Sequence, residues 1–142
     1  MNKKLKKILI IDDEKMNIIA LAHFLKPEYE ILIAIDGAAG IEAAKKHLPD
    51  LILLDVIMPE MNGYDTLVKM KETEEIKNIP VIFISGMSTN EDEEKGLSLG
   101  AVDYITKPFK KHIVKARIET HMKLIEYANI IDDLKNKKET GN

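Results

Sequence analysis

The chain has 142 residues, of which 45% are hydrophobic and 32% charged, with a formal net charge of −3. This size suits one globular domain, and the absence of cysteine excludes a disulfide scaffold and a thiolate metal site. No apolar stretch approaches the ~20 residues of a membrane span, and residues 1–7 contain no signal-peptide core, so a cytoplasmic protein away from membranes is expected.

The charge is distributed unevenly. Residues 1–109 carry 13 Lys and Arg against 19 Asp and Glu, whereas residues 110–142 carry 8 against 5. The mildly basic tail has few aromatic residues, which argues against direct binding to nucleic acid.

Strand-like and helix-like segments alternate along the chain. Short runs of β-branched residues and leucine predict five strands, at residues 8–11, 29–35, 51–54, 81–84 and 104–106. Helical periodicity predicts helices at residues 16–25, 38–47 and 64–72, a fourth that follows Ser88 and ends between Gly96 and Gly100, and a last one from about 110 to beyond 134. Five βα units in succession favour a doubly wound α/β fold with a parallel sheet. Ser88, followed by Glu91, predicts a capping box for the fourth helix.

Polar residues with reactive side chains follow four of these strands. They are Asp12 and Asp13, Asp55, Ser85 and Lys107. Because the carboxyl ends of parallel strands lie at one edge of the sheet, we expect these side chains to converge.

Three carboxylates in one place require a positive charge. Two unit charges at ~4 Å repel by about 4 kcal/mol at an effective dielectric constant near 20. Mg²⁺ suits such a site, because it binds one or two carboxylates while keeping waters and accepting a phosphate oxygen. Lys107 could neutralise phosphoryl oxygens, Ser85 could donate a hydrogen bond, and Asp55 could act as a nucleophile.

Four segments carry a resemblance to a known family. Residues 11–14 (IDDE), 54–63 (LDVIMPEMNG), 85–86 (SG) and 104–109 (YITKPF) resemble the receiver domain of two-component response regulators. The resemblance spans residue 6 to about 122. It implies a flavodoxin-like sheet of order 2-1-3-4-5 flanked by five helices, with a receiver at residues 1–122 and a helical extension at 123–142.

The resemblance also implies roles for individual residues. Asp55 would accept a phosphoryl group from a sensor histidine kinase or a phosphotransfer protein, and Ser85 and Lys107 would bind that group. The implied Mg²⁺ ligands are three carboxylates and one backbone carbonyl, those of Asp12, Asp13, Asp55 and Ile57. Tyr104 would be a switch that turns inward when Ser85 moves, or else a half-buried strand aromatic. The Lys107–Pro108 peptide bond would be cis.

Two positions beside the site are apolar. Ile57 and Met87 lie two residues beyond Asp55 and Ser85, and neither side chain can orient an attacking water. Slow self-dephosphorylation is therefore expected of a signalling domain that is otherwise not an enzyme. Gly86 stands where the family more often has alanine, which keeps access to the phosphoryl site open.

Other interpretations exist for each feature. Singly, Asp12 or Asp13 could cap a helix, and Asp55 or Ser85 could be a turn residue. A phosphohydrolase of dehalogenase type also uses an aspartate nucleophile, but it expects a second aspartate at the position of Ile57. A phosphorylation-independent interaction module commonly lacks an acidic residue or the lysine, and a nucleotide or flavin binder would have a glycine-rich loop after the first strand.

The last helix has an apolar stripe. Leu124, Tyr127, Ile131 and Leu134 follow 3-4-3 spacing. The stripe predicts a homodimer seam or a stalk toward an output domain, and the alternative is a solvated extension. The resemblance offers a second homodimer surface, the face of the fourth helix, fifth strand and fifth helix.

Overall fold

The structure is a computed structural model that describes residues 4–87 and 89–140, with side chains as far as residue 137. The chain divides into two compact units, one ending at Phe109 and one beginning at Lys110. Each unit is described by itself below.

A five-stranded sheet forms the centre of the first unit. Its strands are β1 (Lys7–Ile11), β2 (Glu30–Ala34), β3 (Leu51–Asp55), β4 (Val81–Ser85) and β5 (Asp103–Thr106). All pairings are parallel, in the order β2-β1-β3-β4-β5. The predicted doubly wound fold and its strand order are confirmed.

Four helices of the first unit connect these strands. They are α1 (Lys15–Leu25), α2 (Gly37–His47), α3 (Gly63–Lys71) and α4 (Asn90–Ser98). Helix α1 ends before Lys26 and Pro27, where the sequence predicts a stop, because proline cannot continue the helix.

The cap of α4 lies one residue later than predicted. The Thr89 hydroxyl accepts a hydrogen bond from the Asp92 backbone N–H at 3.1 Å, and the Asp92 carboxylate accepts one from the Thr89 N–H at 3.3 Å. Serine and threonine both cap well, and acidic residues occupy four consecutive positions after them, so the sequence pattern does not choose between the two registers. Ser88 itself lies outside the described residues.

The core lies on both faces of the sheet. On one face, strand residues such as Leu9, Leu54 and Phe83 pack with Leu67 and Met70 of α3. The alternate strand residues point to the opposite face, as the two-residue period of a strand requires. The strand interiors are buried throughout β3 and β4, where each fully buried aliphatic side chain contributes about 1.5–3 kcal/mol.

The start of α3 lies directly against the end of β3. The Gly63 N–H donates to the Val56 carbonyl at 2.7 Å. A Cβ at position 63 would lie 2.1 Å from the Asp55 carbonyl oxygen, so no other residue fits there without moving the helix. The Asn62 side chain caps α3 by accepting from the Asp65 N–H at 2.9 Å. The backbone around Asp55 is therefore held by the helix that follows it.

The second unit is one long helix, α5 (Lys111–Thr140). It confirms the extended C-terminal helix and continues without a break through the predicted boundary at residue 122, which stays a prediction. Its exposed large apolar residues are Ile113, Leu124, Tyr127, Ile130, Ile131 and Leu134. Among the described residues, no helix combines the length and the apolar character needed to cross a membrane.

Candidate functional site

Three carboxylates meet at the carboxyl edge of the sheet. Asp12 and Asp13 follow β1, and Asp55 is the last residue of β3. One carboxylate oxygen from each lies within 4.8 Å of the other two. Asp12 and Asp55 are buried, whereas Asp13 is exposed. The site is thus a small acidic cluster that opens to solvent on the side of Asp13.

Asp12 has one oxygen satisfied and one unsatisfied. Its Oδ1 accepts a hydrogen bond from the Glu14 N–H at 2.9 Å. Its Oδ2 is buried and has no hydrogen-bond partner in the part of the chain that the structure describes. Because leaving a buried acceptor unpaired is costly, this oxygen fits a cation ligand.

Lys107 supplies the positive charge of the site. Its Nζ lies 3.3 Å from Asp55 Oδ1 and 3.8 Å from Asp12 Oδ2. Its backbone N–H donates to the Ser85 carbonyl at 2.8 Å, which ties the loop after β5 to the end of β4. The Lys107–Pro108 peptide bond is cis, as the resemblance implied.

The acidic cluster perturbs the titration of Asp55. The pKa of its carboxyl is raised to about 6, chiefly by burial and also by the charge of the neighbouring Asp12, while the charge and hydrogen bond of Lys107 act to lower it. Burial disfavours the charged form of a carboxyl, and a nearby cation favours it. A divalent cation in the cluster would therefore keep Asp55 ionised and nucleophilic.

Ser85 and Tyr104 both form hydrogen bonds with the backbone of Met87. The Ser85 hydroxyl accepts a hydrogen bond from the Met87 N–H at 3.0 Å, and the Tyr104 hydroxyl donates to the Met87 carbonyl at 2.7 Å. Tyr104 is 4% exposed, so it is a buried residue and not a half-buried one. Its role as a switch stays a prediction, but the two predicted switch residues are linked through Met87.

The positions beside Asp55 and Ser85 are apolar. Ile57 is 64% exposed, and Met87 is partly buried against the core. Their side chains offer no hydrogen bond to a water. The role of the Ile57 carbonyl as a metal ligand stays a prediction.

Sequence reasoning missed an apolar groove next to the acidic cluster. The groove has a volume of about 620 Å³ and runs beside Asp13 between α1 and β2. Ile19, Ile33 and Ile35, which line it, are each more than half exposed. An isoleucine at these positions fits the predicted helix or strand whether its side chain is buried or exposed. The periodicity of the sequence therefore did not indicate that a groove is present.

Comparison with known proteins places this geometry in a family. Residues 8–119 match the family model described as the response regulator receiver domain. A probable cyclic di-GMP phosphodiesterase of Vibrio cholerae serotype O1 is 42% identical over 115 residues, which cover 81% of this chain and 26% of that protein. The response regulator PleD of Caulobacter vibrioides is 35% identical over 136 residues, which cover 95% of this chain and 29% of that protein. This chain therefore spans less than a third of the length of either relative.

A solved structure supports the same conclusion. The response regulator receiver domain protein (CheY-like) of Methanospirillum hungatei JF-1 superposes with a TM-score of 0.80 at 27% identity, covering 88% of this chain and 99% of that one.

Proposed function

Because the chain belongs to the response regulator receiver domain family, whose members are phosphoryl-accepting switches of two-component signalling, we propose that Asp55 is its phosphoryl acceptor. The observation that carries this proposal is the placement of Asp55 at the end of a central strand, next to both Lys107 and the Asp12 carboxylate. No other described carboxylate combines burial at this edge with an ammonium group 3.3 Å away.

The proposed reaction is a phosphoryl transfer from a phosphohistidine. An Asp55 carboxylate oxygen forms a bond to phosphorus as the P–N bond breaks, and the electron pair of that bond returns to the imidazole, which takes up a proton. The chain holds the nucleophile in place through β3 and through the start of α3. Positioning of this kind is the main contribution that a protein makes to phosphoryl transfer.

The acidic cluster fits Mg²⁺. Asp12 Oδ2, which accepts no hydrogen bond from the described residues, and the neighbouring oxygens of Asp13 and Asp55 offer the carboxylates, and exposure on the side of Asp13 leaves room for waters. When bound, the ion would supply positive charge for the phosphoryl oxygens.

Lys107 and Ser85 are proposed to bind the transferred group. The Lys107 ammonium already lies beside the nucleophile and can exchange its contact with Asp55 for one with a phosphoryl oxygen. The Ser85 hydroxyl accepts from the Met87 N–H, which leaves its own proton to donate. The added charge of about −1.5 to −2 would then shift the equilibrium between two conformations.

A histidine kinase or a phosphotransfer protein is the proposed donor. The exposed apolar groove between α1 and β2 lies beside Asp13 and gives such a partner a surface next to the acceptor. Exposed apolar patches of this kind are typical of protein contact sites. Such partners present their phosphohistidine to the cytoplasm, where we place this chain.

Phosphorylation by a small donor tests the site. With acetyl phosphate and Mg²⁺, the chain should take up one phosphoryl group, which hydroxylamine removes because it is an acyl phosphate. Asp13→Asn removes one carboxylate from the cluster, so half-maximal phosphorylation should need roughly tenfold more Mg²⁺. The measurement is intact mass over a series of Mg²⁺ concentrations.

The control for that titration is Asp65→Asn, which changes an exposed aspartate in the first turn of α3. Its Mg²⁺ requirement should match that of the unaltered chain. Phosphorylation that persists in EDTA, or the same Mg²⁺ requirement in Asp13→Asn, would contradict the metal assignment.

The apolar stripe of α5 is proposed as a homodimer seam that continues as a stalk. Leu124, Tyr127, Ile131 and Leu134 are each more than half exposed, which is unusual for four large apolar residues at coiled-coil spacing. The chain should dimerise more readily than a version with Leu124→Ser and Ile131→Ser, and phosphorylation should strengthen the dimer. Sedimentation velocity over a concentration series measures both effects, and identical monomers in all four samples would leave α5 as a solvated helix.

A further inference from the structure

The loop between β3 and α3 contains a strained turn. Glu60 has a φ of 69°, a left-handed backbone conformation that residues with a Cβ rarely adopt. The Met61 N–H donates to the Pro59 carbonyl at 2.8 Å, which closes a three-residue γ-turn around Glu60. A γ-turn with a positive central φ is rare, and such a conformation persists only where the surrounding structure imposes it. Glu60 is exposed, so its neighbours in the loop must impose the turn.

The residues on either side of this turn are anchored. The Gly63 N–H donates to the Val56 carbonyl at 2.7 Å and closes the loop at its base. The Met58 side chain is 7% exposed and packs in the core. A Cβ at Gly37, the first residue of α2, would lie 2.6 Å from Met61 Cε. The Met61 methyl group therefore fills the space that the missing side chain of Gly37 leaves at the start of α2.

The start of α2 is a firm support for Met61. The Asp36 side chain caps this helix by accepting from the Ala39 N–H at 2.7 Å. Two residues separate Met58 from Met61, so the chain between these two anchored side chains has to turn sharply. The contact of Met61 with α2 thus holds Glu60 in its left-handed conformation.

We propose that Met61 is a positioning residue for the Mg²⁺ site, because it fixes the loop that carries the Ile57 carbonyl. This inference rests on the proposed Mg²⁺ site and on the Ile57 carbonyl as its predicted backbone ligand. The Ile57 side chain is 64% exposed, so the position of its carbonyl depends on the anchored residues around it. Without the Met61 contact, Glu60 relaxes toward a negative φ, and the carbonyl loses its fixed position. Mg²⁺ is sensitive to such a change, because it demands near-ideal octahedral geometry.

Removing the Met61 contact should therefore weaken Mg²⁺ binding. The probe is Mg²⁺ alone, titrated into the full, phosphoryl-free chain and followed by the amide NMR signals of Asp13 and Val56. Met61→Ala should raise the dissociation constant for Mg²⁺ roughly three- to tenfold. Gly37→Ala disturbs the same contact from the side of α2 and should also raise it. Met70→Ala is the matched control, because Met70 is a buried methionine of α3, and it should leave the dissociation constant unchanged.

The turn itself supplies a second test. Glycine adopts a positive φ about as readily as a negative one, so a Glu60→Gly chain depends less on the Met61 contact. In that background, Met61→Ala should raise the dissociation constant for Mg²⁺ by no more than about twofold. Glu60→Gln is the control, since it removes the same charge but keeps the Cβ. In the Glu60→Gln background the full effect of Met61→Ala should remain.

Each contrary result has a separate meaning. A purely structural Met61 would lower the unfolding temperature of Met61→Ala, as Met70→Ala lowers it, without weakening Mg²⁺ binding, and that result overturns the inference. An equal loss of affinity in the Glu60→Gly and Glu60→Gln backgrounds overturns the route through the turn. Failure of the unaltered chain to bind Mg²⁺ would instead overturn the proposed metal site.

Discussion

The Asp55→Asn variant should take up no phosphoryl group from acetyl phosphate and Mg²⁺, while the unaltered chain takes up one. The amide lacks the anionic oxygen that attacks phosphorus, and Asp12 and Asp13 cannot replace it. Asp12 Oδ1 is engaged by the Glu14 N–H, and Asp13 is exposed to water, which weakens it as a nucleophile. Intact mass measured over time gives the result, and equal labelling of the two proteins would remove Asp55 as the acceptor.

The stability of the same variant toward urea shows whether it is folded. The pKa of Asp55 is raised from 3.8 to about 6, so the folded state binds the Asp55 proton more tightly than the unfolded state does. This contribution to stability is fully present below about pH 4 and is lost as the pH rises through 6. An asparagine at this position does not titrate, so the variant does not lose stability in this way as the pH rises. Without divalent cations at pH 7, the free energy of unfolding measured in urea should therefore be about 1–2 kcal/mol higher for Asp55→Asn than for the unaltered chain. This figure already allows for the access of solvent to the site.

A mutant that fails to label because it is unfolded would show the opposite change in urea stability. Added Mg²⁺ should narrow the difference between the two proteins, because the ion offsets the charge that destabilises the unaltered site. A pH-independent difference would assign the stabilisation to something other than the Asp55 carboxyl.

The second large effect concerns the lifetime of the phosphorylated state. Hydrolysis of an acyl phosphate needs a water in line with the O–P bond, and a polar side chain can hold that water in place. Ile57 and Met87 cannot do so. Ile57→Asn combined with Met87→Glu should accelerate the loss of the phosphoryl group by on the order of tenfold or more, since both changes add groups that can orient a water. The measurement is the decay of phosphorylated protein with Mg²⁺ present after the donor is removed.

A matched control for the double variant is Leu48→Asn. Leu48 is 57% exposed, lies beyond the amino end of β3, and has a φ of 47°, a left-handed conformation that asparagine tolerates well. Its decay rate should equal that of the unaltered chain. Unchanged or slower decay in the double variant would show that water access at residues 57 and 87 does not limit the lifetime.

The meeting of Asp12, Asp55 and Lys107 follows from sequence because it depends on only two rules. Each residue comes directly after or at the end of an apolar run of strand length, and parallel strands align their carboxyl ends. The four motifs that resemble receiver domains then give the strand order, and the pairing of β1 between β2 and β3 confirms it. These features depend on local patterns and on the topology of the chain.

The features that sequence did not predict depend on packing between elements. Nothing near Tyr64 in the sequence indicates that Lys95, thirty-one residues later, lies over its ring. The lack of a hydrogen bond to Asp12 Oδ2 also depends on the exact rotamer of a buried side chain. The exposure of Ile33 in β2 and of Ile35 just after it depends on which strand forms the edge of the sheet. Such properties are set by three-dimensional neighbours, to which a periodic pattern is insensitive.

The contact of Lys107 with both buried carboxylates has a consequence for folding when no divalent ion is bound. A covalently attached ammonium group is present at the site from the moment the chain folds, whatever the composition of the surrounding fluid. Because this charge already offsets part of the repulsion between the two buried carboxylates, we expect the domain to fold without a bound divalent ion, and a fall in free divalent ions to slow phosphorylation rather than to unfold the domain.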